Sequence, residues 1–211
     1  MSQGEFHGIP ASTKEQALRL AVANNWADKV KKLLADGVDV NAFHDETTPL
    51  CVAAGYGRDK LVELLLAAGA NVNVPGRPDM TPLMHACSEG GKKGSKVALM
   101  LIQAGADVNY VRQDDGMTAL KFAAKGCSPE VLQALIDYGA QVDGPPDTDQ
   151  TALMLAARAD DLEAIQVLVK NGADIHRPCQ LPWAKGKTAE GVAELEGRKK
   201  AAKYLRGLRG G

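Results

Sequence analysis

The chain has 211 residues, a formal net charge of −1, 45% hydrophobic residues and 4% aromatic ones. A balance this near zero sets up no global field toward nucleic acid or an anionic membrane, and no apolar run reaches the roughly 20 residues of a membrane-spanning helix. The hydrophobic share supports a packed core, and the scarcity of aromatics points to helices packed through small residues.

Residues 1–13 carry neither the basic nor the apolar region of a signal peptide and are expected to form a flexible lead. Cys51, Cys87, Cys127 and Cys179 show no metal or disulfide spacing. A reduced, cytoplasmic chain follows as the expectation, with Cys87 as buried packing where other units have alanine.

From Lys14 the pattern becomes periodic. Leu18, Ala21 and Val22 mark a first helix; Val30, Leu33 and Leu34 mark a second, with Lys29, Lys31 and Lys32 on its outer side, as a terminal repeat requires. The next stretch, Thr47 to Asn73, holds one complete unit. Thr48 is placed to cap a helix, and Pro49 fits its first position, where a missing N–H costs nothing. Leu61, Val62, Leu64, Leu65 and Leu66 give the following helix a wide apolar face. Gly69 stops it, and Ala70-Asn71-Val72-Asn73 leads away.

The opening signal recurs as Thr81-Pro82-Leu83, Thr118-Ala119-Leu120, Thr151-Ala152-Leu153 and, degenerately, Thr188-Ala189-Glu190; successive threonines are 33, 37, 33 and 37 residues apart. The closing signal recurs at Gly37–Asn41, Gly105–Asn109, Gly139–Asp143 and Gly172–His176. A period near 33 with two helices and a loop per unit is the signature of a stacked array. The third unit is longer, with 24 residues from Thr81 to Gly105 against 21 in its neighbours. The excess falls in the glycine- and lysine-rich run Ser88–Ser95, expected to be a loop between the helices, either a tolerated mobile insertion or a partner contact through Lys92, Lys93 and Lys96. Ser128-Pro129-Glu130 opens the second helix of the fourth unit. A longer connection follows Ile175 and holds Pro178, Pro182 and Trp183.

These motifs resemble the ankyrin-repeat family, with four full copies between partial copies at about Lys14 and Lys187. The resemblance implies an all-α solenoid of helix–turn–helix units joined by extended hairpin-like loops. It implies repeats at about 14–45, 46–78, 79–114, 115–147 and 148–184, with a cap at 185–211. The family's histidine after Thr-Pro-Leu is replaced by Cys51, Met84, Lys121 and Met154. That histidine bridges neighbouring turns, so its loss leaves rigidity in question but not the fold.

The search for chemistry returns negatives. Gly186-Lys187-Thr188 matches the second half of a P-loop, but Leu181 stands where the first glycine belongs. No HExxH is present, and His7, His44, His85 and His176 fall in different units. His176 and Cys179 find no second pair to complete a zinc site. The basic run Arg198 to Arg206 is taken as a solubilising cap, and Leu208-Arg209-Gly210-Gly211, though similar to the conjugating end of ubiquitin, as a frayed terminus. No catalytic residue, cofactor or metal is expected.

What remains is surface. The residue before each small pair of the first helices gives the stripe Leu20, Val52, His85, Phe122 and Leu155, apolar at four of five positions, with Tyr56 beside it. Neighbouring repeats half-bury such residues in one reading; in the other they form a binding stripe with Phe122 as an anchor. The loop tips add Phe43, Asp45, Glu46, Arg77, Asp79, Tyr110, Arg112, Asp114, Asp115, Asp147, Asp149 and Trp183. Their acidic bias suggests a partner with a basic or mixed patch. The expected function is a non-enzymatic module, monomeric before binding, that inhibits, masks or tethers another protein. An immunity or antitoxin-like inhibitor and a small adaptor both fit. Two alternatives stay open: an enzyme or ligand-binding protein with an unrecognised site, and a nucleic-acid binder using Lys92, Lys93 and the basic C-terminal helix.

Overall fold

Four of the five opening threonines cap their helices through the side chain, Thr188 being the exception. The side-chain oxygens of Thr48, Thr81, Thr118 and Thr151 accept the backbone N–H three residues on, from Cys51, Met84, Lys121 and Met154 at 3.2–3.3 Å. Such caps satisfy donors that a helix start leaves free. In the computed structural model, which describes residues 13–145 and 149–209, twelve helices follow among the described residues. They are α1 (Lys14–Ala23), α2 (Ala27–Ala35), α3 (Pro49–Gly55), α4 (Asp59–Ala67), α5 (Pro82–Glu89), α6 (Gly91–Gln103), α7 (Ala119–Ala123), α8 (Pro129–Asp137), α9 (Ala152–Ala159), α10 (Leu162–Lys170), α11 (Ala189–Leu195) and α12 (Lys199–Leu208). Pro182–Ala184 adds one 3-10 turn.

The helices form two rows. Odd-numbered helices stack in chain order from α1 to α11, and even-numbered helices stack behind them from α2 to α12. Small buried residues (Ala53 and Ala54, Ala86 and Cys87, Ala123 and Ala124, Ala156 and Ala157) let the odd row approach closely, and leucines such as Leu18, Leu65, Leu101, Leu135 and Leu168 fill the seam.

A ladder joins the units at the closing signals. Asn41 Oδ1 accepts from Asn71 N at 2.7 Å, Asn73 Oδ1 from Asp107 N at 2.8 Å, Asn109 Oδ1 from Gln141 N at 3.0 Å and Asp143 Oδ1 from Asp174 N at 3.1 Å. The amides of Asn41, Asn73 and Asn109 also donate to the carbonyls of Gly69, Gly105 and Gly139.

Three expectations change. Ser88–Ser95 is not a loop: Gly90 alone separates α5 from α6, which begins at Gly91 and runs 13 residues against nine in α4 and α8. The reason is close approach. Gly90 turns the chain at φ +63°, and a Cβ on Gly94 would stand 2.5 Å from the Ala86 carbonyl. Ser95 Oγ, buried, accepts from Ser128 N at 2.9 Å. Lys92 and Lys93 remain exposed, while Lys96 pairs with Asp59 across to α4.

Ser128 starts α8 without capping it; its hydroxyl bonds Glu130, which lowers that carboxyl's pKa. The missing histidines are partly replaced. Cys51 Sγ reaches the carbonyls of Val74 and Met80 in the next loop, at 3.5 and 3.8 Å. Lys121, only 2% exposed, donates to the Gly116 carbonyl at 2.8 Å.

Candidate protein-binding surface

The loop tips are built as small hairpins that hold one another. His44 N bonds Thr47 O at 3.0 Å, Met80 N bonds Gly76 O at 2.8 Å and Arg112 N bonds Met117 O at 2.9 Å. Between tips, Arg77 N bonds Glu46 O at 2.7 Å, Gln113 N bonds an Asp79 carboxylate oxygen at 3.0 Å and Gln180 N bonds Asp149 O at 3.0 Å. The row is therefore preformed, and a preformed surface loses little conformational entropy on binding.

Most of its carboxylates serve this row. Asp45 pairs with Arg19 at 2.7 Å, Glu46 with Arg77, and Asp114 and Asp115 with Arg112. Asp79 accepts from the Tyr110 hydroxyl, which lowers the carboxyl pKa and pushes the phenol up to about 12. The acidic bias of the sequence is thus partly offset by Arg19, Arg77 and Arg112, and the tips keep more carboxylates than cations. Asp149 is exposed; Asp147 lies outside the described residues. Phe43 is 60% exposed and Tyr56 54%.

The stripe lies along the odd row, from Leu20 on α1 through Val52 and His85 to Phe122 and Leu155 on α7 and α9. The first three are half-buried, whereas Phe122 and Leu155 are 8% and 6% exposed. His85 Nε2 is buried without a hydrogen bond, and burial lowers the imidazole pKa.

Of the residues around Phe122 and Leu155, Arg112 and Asp115 were expected from sequence, whereas Lys125, Gln150, Arg158 and Arg198 were not. Phe122 and Leu155 line a groove of about 430 Å³ together with Met117, Gln150, Arg112, Lys125, Arg158 and Arg198. Arg112 Cζ and Lys125 Nζ lie 5.8 and 5.9 Å from the Phe122 ring centre, within cation–π range. Arg158 lies 5.0 Å from the ring centre of Trp183, which is 45% exposed. Glu196 Oε1 stands 3.3 Å from Arg158 Nε, near enough for attraction but outside hydrogen-bond geometry, so that Nε is buried without an acceptor. The clue was local: Arg158 follows Leu155 by three positions on the same face of α9, and Lys125 follows Phe122 by three in the turn that ends α7, its N–H bonded to the Phe122 carbonyl.

Such a surface, a preformed row of tips beside a mixed apolar and cationic groove, defines a helical-repeat binding module. The ankyrin-repeat family model matches residues 5–76 and 83–179. The chain belongs to the ankyrin-repeat family.

Among curated relatives, it is 31% identical over 129 residues to the ankyrin repeat and KH domain-containing protein mask-1 of Caenorhabditis elegans, covering 60% of this chain and 5% of that protein. It is 31% identical over 136 residues to the ankyrin repeat, SAM and basic leucine zipper domain-containing protein 1 of Dasypus novemcinctus, covering 63% of this chain and 28% of that one. The chain thus spans only a small part of these relatives. Among solved structures, it resembles a chain of the predatory endopeptidase Bd0816 from Bdellovibrio bacteriovorus in complex with immunity protein Bd3460. The TM-score is 0.79 at 29% identity, over 90% of this chain and 96% of that one.

Ankyrin repeats make this a protein-binding chain. Among the described residues no helix is long and apolar enough to cross a membrane.

Proposed function

We propose that this protein binds an enzyme through its loop tips and concave stripe and holds it inactive, as an immunity protein does. The observation that carries this reading is the likeness, over 90% of the chain, to a structure in which an immunity protein is bound to an endopeptidase. The geometry supports it. Hydrogen bonds between tips fix the row before a partner arrives, and Phe43, Tyr56 and Trp183 stand exposed as anchors, the residue class that dominates interface energetics. An inhibitor of this kind needs no titrating group of its own. It acts by covering the enzyme's substrate path.

The test is a titration of the purified chain into endopeptidases encoded by the same genome, followed by cleavage rate. Activity should fall linearly and vanish near equal molar amounts for one of them. Full activity of all of them at large molar excess would overturn the inhibitor reading. An adaptor is the second reading, favoured by the relatives in which such repeats occupy a small part of a longer protein; there the bound enzyme stays active.

A further inference from the structure

We infer that the groove over Phe122 and Leu155 is the seat of an acidic, extended segment of the partner that carries one bulky apolar side chain. This rests on the protein-binding reading and narrows it to the partner's chemistry. Charge is the first ground. Four cations line the groove against two carboxylates, Asp115 and Glu196. Arg112 is already held by Asp114 and Asp115. Lys125 and Arg198 make no ion pair among the described residues, and Arg158 has only its loose contact with Glu196. The groove therefore keeps positive charge that its own carboxylates do not neutralise.

Unmatched donors are the second ground. Arg158 Nε and Gln150 Nε2 are both buried without an acceptor, and both residues line this groove. A buried donor is costly until it finds an acceptor. Carboxylates and main-chain carbonyls supply acceptors; a basic segment supplies none on its side chains.

Shape is the third. Phe122 and Leu155 make an apolar floor between the cations. Past Phe122 and Lys125 the trough continues into a hollow lined by Glu89, Gly90, Gly91 and Gly126; it is open over Gly91 and Gly126, where no atom stands within 4 Å of an added Cβ, and Glu89 sets the far limit for the segment's carboxylates. An extended segment fits this path, its apolar side chain on the floor and its carboxylates toward Lys125 and Arg198. The tips alone pointed to a basic or mixed partner; the groove points to an acidic one.

Panning a library of short random displayed peptides on the full chain tests this. The enriched peptides should carry Asp or Glu on both sides of a large apolar residue. Lys125→Glu with Arg198→Glu should weaken them at least about tenfold, while Lys125→Arg with Arg198→Lys keeps them. Both positions are exposed, and circular dichroism checks that each variant is folded. Binding should also fall as ionic strength rises from about 0.05 to about 0.5 M, since exposed charges are screened. Neutral or basic winners, no enrichment, equal binding to the charge-reversed chain, or preference for a single-stranded oligonucleotide at the same site would each overturn the inference. A partner enzyme inhibited equally by wild type and the charge-reversed chain would overturn the groove and leave the inhibitor reading standing. Acidic peptides in the groove of a chain that inhibits nothing would do the reverse.

Discussion

Lys121 stands where the family places a histidine and two sibling repeats place methionine. It is buried, and burial is the main cause that brings its pKa down to about 8, with the Arg177 charge adding to it. The folded chain therefore releases this proton at lower pH than the unfolded chain does. Stability contributed by this site rises with pH between about 8 and the ordinary lysine range near 10.5, because there the unfolded state binds more protons. Below about pH 8 both states are charged and the full cost, on the order of 3 kcal/mol, is present. Lys121→Met removes that cost and gives up one hydrogen bond worth about 1 kcal/mol. The variant should be about 1–2 kcal/mol more stable near pH 7, measured by urea unfolding. Its advantage should shrink as pH climbs toward about 10. An advantage that stays constant with pH would mean that Lys121 is not buried as a cation. Sequence showed the substitution but not its consequence, because burial of that position depends on the packing of three neighbouring helices.

At the scale of elements, Gly94→Ala separates two accounts of the lengthened α6. In an ordinary helix interior alanine gains about 1 kcal/mol over glycine. Here the new Cβ would meet the Ala86 carbonyl at 2.5 Å, so overpacking should cost about 1–3 kcal/mol instead. A denaturant midpoint that rises would restore the loop expectation for Ser88–Ser95. The helices themselves were legible from threonine caps, apolar spacing and closing glycines, because each of these acts within a few residues. The run through Gly90 and Gly94 was not: glycine breaks helices by local rule, whereas here it serves an approach between α5 and α6. The binding residues divide the same way. The stripe from Leu20 to Leu155 and the tip residues follow from superposed repeats. Arg158, Arg198 and Gln150 join Phe122 only once α7, α9 and the α11–α12 corner are stacked. The ion pairs that hold the acidic tips were only partly legible, because a partner such as Arg19 for Asp45 lies in another part of the sequence.

Across the whole molecule, helices touch within a unit and between adjacent units, so damage should spread by adjacency. Leu65 is fully buried at the centre of the seam, and Leu65→Ala should cost about 2–5 kcal/mol. Hydrogen exchange should accelerate most in α1 through α6, and least in α11 and α12, because each unit is stabilised mainly by the ones that flank it. Uniform acceleration over all twelve helices would show one cooperative block. The asparagine ladder bears on the surface that a partner meets. Its rungs span 30, 34, 32 and 31 residues of chain, yet each closes at 2.7–3.1 Å. The molecule thus keeps its pitch by counting rungs and not residues. Slack is taken up at the rear, where α6 gains a turn, while the front advances in even steps, like a ruler whose markings hold although the wood behind them varies in thickness.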